Sequence, residues 1–320
     1  MRRSYHVLTG PTAAGKTGFL LGRLPAGSAV VISADSRQVY RLMDIGTGKP
    51  EAAELTLLPH YGLDILDLGT KFSVYQFLIR LSEWLRDLRD DPRQVWICGG
   101  TGLYIHALLN RLELGAPPRA ELRLRLSSLI ADQSARFWAG QLGLSPADPD
   151  NPVRVIRSAE EACLDPLRAT EIHERLGLDP QAADNTAWQA EQQAFAEAQH
   201  ELERWHCAGL AVLDPGREAL QQRIRLRVRR MFELGLPEEV ARIRAAGYGA
   251  VDELVNGIAY REAGLLLDGV LDYEAAVEQA VIRTRQYAKR QRTYFRGRGW
   301  AEYDDAGLEA WFSGLRLSGG

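Results

Sequence analysis

The stretch that most constrains this chain is Gly10-Pro11-Thr12-Ala13-Ala14-Gly15-Lys16-Thr17. It fits the pattern G-x-x-x-x-G-K-[ST], and its setting gives the pattern physical meaning. The apolar run Tyr5-His6-Val7-Leu8 before it reads as a strand, and Phe19-Leu20-Leu21 after it reads as the start of a helix. A glycine-rich turn between strand and helix gathers backbone N–H groups and a helix N-terminus at one point, which suits a phosphate. Lys16 adds positive charge there, and Thr17 offers a hydroxyl to a magnesium ion. The alternative is a tight turn with no ligand. In this context the full eight-residue pattern points to a phosphorylated ligand.

The chain has 320 residues, 46% hydrophobic and 25% charged, enough for a full core plus an insertion or appendage. The net charge of −3 does not decide for or against nucleic acid. Its distribution says more, because the lysines are Lys16, Lys49, Lys71 and Lys289 and the remaining basic charge is arginine. Cys98, Cys163 and Cys207 lack metal or disulfide spacing, as expected for a reducing compartment. The first strand follows closely on Met1, and no apolar run approaches membrane-spanning length. A cytoplasmic, monomeric protein without a membrane partner is therefore expected.

Further along, Ala29-Val30-Val31-Ile32 reads as a buried parallel strand ending at Ser33-Ala34-Asp35. Ligands of open α/β sheets lie beyond the carboxyl ends of strands, so Asp35 is expected beside the phosphate loop. Leu63-Asp64-Ile65-Leu66 reads as a third strand. Ser73 reads as the cap of a helix reaching about Arg89. Val95-Trp96-Ile97-Cys98 is another buried strand, followed by Gly99-Gly100-Thr101-Gly102-Leu103-Tyr104. A phosphate-loop ATPase would usually end such a strand with a magnesium-binding aspartate. Glycines and a threonine stand here instead, which suits a substrate approaching the backbone closely.

From about Leu112 strand signals give way to helical stretches separated by Pro-, Asp- and Gly-containing breaks, until Gly209-Leu210-Ala211-Val212-Leu213 returns to strand. The expected fold is α/β: a P-loop NTPase-like core with a parallel sheet and flanking helices, plus a mostly helical insertion domain. The expected boundaries are 1–111, 112–205 for the insertion, and 206–320 for the return to the core. Two stretches concentrate basic charge. Arg217, Arg223, Arg225, Arg227, Arg229 and Arg230 have Glu218 as their only acidic sequence neighbour. Arg283, Arg285, Lys289, Arg290, Arg292, Arg296 and Arg298 form an acid-free run interleaved with Tyr287, Tyr294, Phe295 and Trp300. A helix would put Arg285, Lys289, Arg292 and Arg296 on one face. Such a run suits a polyanion, and its aromatics suit stacking on bases; an ordinary solvated face is the alternative.

Taken together, these residues resemble the tRNA dimethylallyltransferases. The likeness rests on several motifs in order: Gly10–Thr17, Ile32–Tyr40, Met43–Pro50, Gly99–Tyr104, Asn151–Arg157 and Thr284–Gln291. It departs from the family pattern at Val153, where a glutamine is usual, and at Ala259, which makes Gly-Ile-Ala-Tyr of the usual Gly-Ile-Gly-Tyr. The stretch after Glu160 also departs from it.

The resemblance implies transfer of a dimethylallyl group from dimethylallyl diphosphate to the exocyclic amine of the adenine 3′ of the anticodon, with Mg2+ as cofactor. Such a reaction needs donors and cations around the leaving diphosphate. Gly10, Pro11, Thr12, Ala13, Ala14, Gly15, Lys16 and Thr17 are expected to provide them, with Thr17 on the metal. Arg217, Arg223 and Arg227 would complete the clamp, although an exposed salt-bridged helix explains them nearly as well. Asp35 is expected as the base that takes the amine proton, and Thr101 as a group orienting the amine or a leaving oxygen. Ser36, Arg37 and Gln38 would hold neighbouring bases of the tRNA anticodon stem-loop. Arg123 and the stretch Val153-Arg154-Val155-Ile156-Arg157 would meet its loop, and Arg285, Lys289 and Arg292 its stem. Rival readings are an isopentenyltransferase acting on free adenine nucleotides, a nucleotide-kinase-type phosphotransferase and a non-catalytic tRNA-binding protein.

Overall fold

A computed structural model describes residues 3–110, 119–179 and 186–317. The chain divides into two compact units, one of Met1–Arg111 with Glu201–Gly320 and one of Leu112–His200.

The first unit is built on six parallel strands: β1 (Arg3–Thr9), β2 (Ala29–Ser33), β3 (His60–Tyr61), β4 (Gln94–Gly99), β5 (Trp205–Leu213) and β6 (Glu302–Tyr303). They lie in the order β3-β2-β4-β1-β5-β6. With β1 near the centre and β2 and β4 on one side of it, the strand ends carrying Thr9, Ser33 and Gly99 lie together. Every residue of β2 is buried, which accounts for its unbroken apolar run. Trp96 lies in the core under the helix Asp305–Leu317, its ring stacked on His6 and in contact with Phe312.

The third strand differs from expectation. Pairing falls on His60 and Tyr61, and Leu66 makes only an isolated bridge with Tyr40. Gly62 and Asp64 have φ of 82° and 54°, and those left-handed residues break the extended chain ahead of Leu66.

A second core of this unit gathers around three helices, Arg217–Glu233, Leu236–Ile243 and Tyr273–Arg296. It holds Met43, Val228, Met231, Val240 and Tyr260, so the Met43–Pro50 segment is anchored to helices rather than to the sheet.

The unit Leu112–His200 is helical over its described residues, with helices at Ala120–Asp132, Ala135–Gln141, Pro152–Ala162, Pro166–Leu176 and Thr186–Leu202. Asn151 and Asp165 cap two of these, each followed by proline at the first helical position. Leu122, Leu126, Ala159, Cys163, Ile172 and Leu176 pack together at its centre. Among the described residues, no helix of the protein is long and apolar enough to cross a membrane.

Candidate active site

The phosphate loop occupies the bend from β1 into the helix Lys16–Arg23. Gly10 has φ of 146°, and a Cβ there would lie 2.3 Å from the carbonyl oxygen of Leu213. Only glycine fits so close beneath the end of β5. Gly15, at φ 101°, turns the chain into the helix. Among the described residues the backbone N–H groups of Gly15, Lys16 and Thr17 have no backbone acceptor, the usual state of a helix N-terminus that can receive an anion. Lys16 Nζ curls back to donate to the carbonyls of Gly10 and Pro11, both at 2.9 Å. Desolvation pushes the Lys16 ammonium below its ordinary value, and Asp35 and the Cys98 thiol oppose that shift.

Asp35 lies just past the end of β2. Its Oδ1 accepts from the backbone N–H of Arg37 at 2.8 Å and more weakly from Gln38 at 3.4 Å. These bonds orient the carboxylate and engage one of its oxygens. Thr101 ties the same bend to the glycine loop after β4: its Oγ1 accepts from Ser36 N at 3.0 Å, and its own N–H donates to Ala34 at 3.2 Å. A Cβ on Gly99 would lie 2.1 Å from the Ala34 carbonyl oxygen, so close approach of the two strand ends requires glycine.

Lys16, Thr17, Asp35, Gly99 and Gly100 border a cavity of about 580 Å³, whereas Thr101, expected to orient a reacting group, is not among the residues that line it. The phosphate loop, Asp35 to Gln38 and the Gly46–Pro50 segment contribute polar groups, while Met43, Val228, Met231, Ile258 and Ala259 contribute apolar surface. Arg227 enters from the helix Arg217–Glu233 and donates to the carbonyl of Thr47 at 3.1 Å. Among the described residues it has no carboxylate partner and no other hydrogen bond. Burial lowers the pKa of its guanidinium, with Asp35 partly offsetting the effect. A cation held this way has most of its N–H donors available to a ligand.

Some expected site residues have other work. Arg223 donates to Ala14 O at 2.6 Å and pairs with Asp305, so it braces the loop from behind. Arg217 is exposed at the start of its helix and does not border the cavity. Arg225 and Arg229 pair with Glu278 and Glu274. Ser36 and Arg37 border the cavity, with Arg37 exposed. The amide of Gln38 is engaged, its Oε1 accepting from Ser33 Oγ at 2.9 Å and its Nε2 donating to Gly48 O at 3.1 Å.

The acid-free run is acid-free in sequence but not in space. Arg283 pairs with fully buried Glu262 at 2.7 Å, Arg292 with Asp214 at 2.7 Å, and Arg296 with Glu302 at 3.3 Å. Arg292 is thus an internal tie rather than a free cation. Arg285, Lys289, Arg290 and Arg298 have no carboxylate partner among the described residues; Arg290 lies over the ring of Tyr287 and Arg298 over that of Tyr294. In the helical unit Arg123 and Arg157 both bind Glu160, which is fully buried. Val155 is fully buried and offers no surface, and Ile156 is half-buried against the core of this unit; Val153 and Arg154 are exposed.

Two site-forming residues carry little sequence signal. Gln291, 7% exposed, donates to Gly100 O and accepts from Thr12 N, both at 2.8 Å, and so links the phosphate loop to the glycine loop. Glu239 is buried and accepts from the backbone N–H groups of Asp44, Ile45 and Gly46, at the start of the cavity-lining Gly46–Pro50 segment. Neither lies in a local pattern that marks it; Gln291 belongs to a recognisable run, but only the fold brings it to the loops.

A family model described as IPP transferase matches residues 38–298. The chain is 33% identical over 290 residues to the tRNA dimethylallyltransferase of Myxococcus xanthus, covering 91% of this chain and 88% of that one. It is 36% identical over 300 residues to tRNA dimethylallyltransferase 1 of Syntrophotalea carbinolica, covering 90% and 87%. Among solved structures, the tRNA delta(2)-isopentenylpyrophosphate transferase of Staphylococcus epidermidis superposes with a TM-score of 0.60 at 28% identity, over 94% of this chain and 93% of that one. The full-length tRNA isopentenylpyrophosphate transferase of Bacillus halodurans does so with 0.59 at 25% identity, over 98% and 97%. The neighbours share a P-loop NTPase-like core, the same frame that here brings a phosphate loop, a strand-end carboxylate and a desolvated arginine to one cavity. On these grounds this chain belongs to the IPP transferase family.

Proposed function

We propose that this protein transfers the dimethylallyl group of dimethylallyl diphosphate to the exocyclic amine of the adenine 3′ of the anticodon in tRNA. The observation that carries the reading is the meeting of desolvated Lys16 and Arg227 with the Asp35 carboxylate in one cavity that also has an apolar wall. The cations and the loop N–H groups suit a diphosphate, and the apolar wall suits a short hydrocarbon tail.

In the reaction, the bond between the allylic carbon and the diphosphate oxygen breaks, and its electron pair leaves with the diphosphate. The adenine nitrogen donates its lone pair to the same carbon and gives up a proton. Lys16, Arg227 and the N–H groups after Gly15 hold the leaving oxygens as charge collects on them, which is where fixed donors in a water-poor site act most strongly. Asp35 accepts the proton; a placed carboxylate contributes roughly two to four orders of magnitude. Thr101 holds the bend bearing Asp35 through Ser36 N, which makes its part chiefly one of orientation.

The donor set fits magnesium. The Thr17 hydroxyl borders the cavity beside the loop N–H groups, and a magnesium ion commonly takes few protein ligands beside phosphate oxygens and water. Thr17 would hold the ion, which when bound neutralises charge on the diphosphate. Arg37, Arg290, half-buried Arg285 and the exposed Lys289 and Arg154 are the proposed phosphate contacts for the RNA.

The test supplies the protein with magnesium, labelled dimethylallyl diphosphate, an anticodon stem-loop RNA with adenine 3′ of the anticodon, and AMP. Label on the RNA alone supports the reading. Label on AMP would replace it with a nucleotide-modifying activity, and consumption of added ATP without label transfer would indicate a phosphotransferase.

A further inference from the structure

Among the described residues, the one protein hydrogen bond of the buried Arg227 guanidinium ends on the carbonyl of Thr47. Thr47 is tied within its segment, its Oγ1 donating to Met43 O at 2.6 Å, and Gln38 Nε2 reaches its carbonyl at 3.4 Å; the segment itself is held from its far side. Three successive backbone N–H groups, those of Asp44, Ile45 and Gly46, point to the carboxylate of Glu239 at 3.2, 2.8 and 3.4 Å. The same carboxylate accepts from the Tyr260 hydroxyl at 2.6 Å. Burial first, and then the Glu239 charge, hold the Tyr260 phenol well above its ordinary pKa, so it remains a donor. Glu239 is 2% exposed and has no basic partner among the described residues.

The packing is as close as the bonding. A Cβ on Gly46 would lie 2.3 Å from the Tyr260 ring, and one on Gly48 would lie 2.3 Å from Arg227 Nη2. The segment is thus pressed between Tyr260 on one side and the guanidinium on the other. A buried carboxylate ringed by backbone N–H groups is a costly arrangement unless every bond is kept, and here the bonds converge on one short segment.

Building on the proposed function, we infer that Glu239 is a positioning residue for the diphosphate site: it clamps the backbone of Asp44–Gly46, and through Thr47 holds Arg227 toward the leaving group. Gln would keep the shape but turn an NH2 toward donors, so Glu239→Gln breaks the clamp with little change in volume.

Calorimetric binding of inorganic diphosphate in the presence of magnesium, together with steady-state kinetics on the stem-loop RNA, tests this. Glu239→Gln should weaken diphosphate binding by about tenfold, the scale of one missing charge-assisted hydrogen bond, while KM for the RNA stays within about twofold. Val240→Ala, at a fully buried neighbour on the same helix, should lower Tm and leave diphosphate affinity unchanged. Tyr260→Phe removes one of the four bonds and should weaken diphosphate binding by about two- to threefold even if Glu239→Gln folds poorly. In the Arg227→Ala background, Glu239→Gln should cost less than about twofold, because both act through one guanidinium.

Wild-type diphosphate affinity in Glu239→Gln or Tyr260→Phe, equal losses in Val240→Ala, or additivity with Arg227→Ala would each overturn the inference. Wild-type protein that binds diphosphate yet labels no RNA would overturn the proposed function and leave the Glu239 inference open to the same binding measurements.

Discussion

At the scale of single residues, the site sets two groups to opposite tasks. Asp35 gives Oδ1 to the N–H groups of Arg37 and Gln38, which orients the carboxylate proposed above as the proton acceptor. Asp35→Asn keeps a carbonyl oxygen for those bonds and loses the basicity, so turnover should fall by about a hundredfold or more while RNA affinity stays within a few fold. Single-turnover rates beside binding isotherms measure both, and an active Asn variant would remove Asp35 as the base. Lys16 is held by two carbonyls in a desolvated position that lowers its pKa. A bound diphosphate favours the ammonium and so raises that pKa again. At alkaline pH, below the ordinary value of 10.5, the free protein has partly lost this proton, and binding should take it back up. Affinity should therefore decline as pH rises through the lowered pKa. Calorimetry in buffers of differing ionisation enthalpy reads the uptake directly. Lys16→Arg should abolish it, since a guanidinium does not titrate there.

At the scale of elements, the site depends on how closely strand ends can approach. Gly99→Ala would drive a Cβ into the Ala34 carbonyl, and a backbone atom cannot swing aside as a side chain can. The cost should be about 1–3 kcal/mol, read as a lower Tm, and activity should fall with it because Ala34 precedes Asp35. Gly22→Ala is the contrast: it meets nothing within 4 Å on an exposed helix and should stabilise by about 0.5–1 kcal/mol. Equal Tm changes in the two variants would contradict the close approach. The same elements divide into those the sequence makes legible and those it hides. The phosphate loop, the strand end at Asp35 and the glycine loop at Gly99 are legible, because each is a local pattern and parallel sheets bring strand ends together by rule. The His60–Tyr61 strand lies a few residues before its expected place, because the left-handed turn at Gly62 leaves no mark in hydrophobic periodicity. Gln291 and Glu239 are not legible as site residues, because their partners lie 279 and about 190 residues away in the chain.

At the scale of the whole molecule, charge that is bunched in sequence is sorted in space into structural and free cations. Arg283 and Arg292 have carboxylate partners on other elements, Arg296 pairs with Glu302 just past its own helix, and within the helical unit Arg123 reaches across to Glu160, which Arg157 meets on their shared helix. Removing Arg283 takes from fully buried Glu262 its cation among the described residues, whereas Glu160, also fully buried, would keep one of its two arginines. Arg285, Lys289 and Arg290 have no such partner among the described residues and can be neutralised without orphaning a carboxylate. The two classes should separate in one experiment. Replacing Arg285 and Lys289 together by glutamine should preserve Tm, lower RNA affinity and reduce the slope of log affinity against log salt by about one to two, roughly one for each RNA phosphate no longer neutralised. Replacing Arg292 by glutamine should lower Tm, because Asp214, 8% exposed, loses its closest cation, while the salt slope stays as in the wild type. A reversed pattern, with the slope following Arg292 and the stability following Lys289, would mean that the RNA displaces the internal ion pairs when it binds. The helix Tyr273–Arg296 would then be a surface that rearranges on binding instead of one already sorted in the free protein.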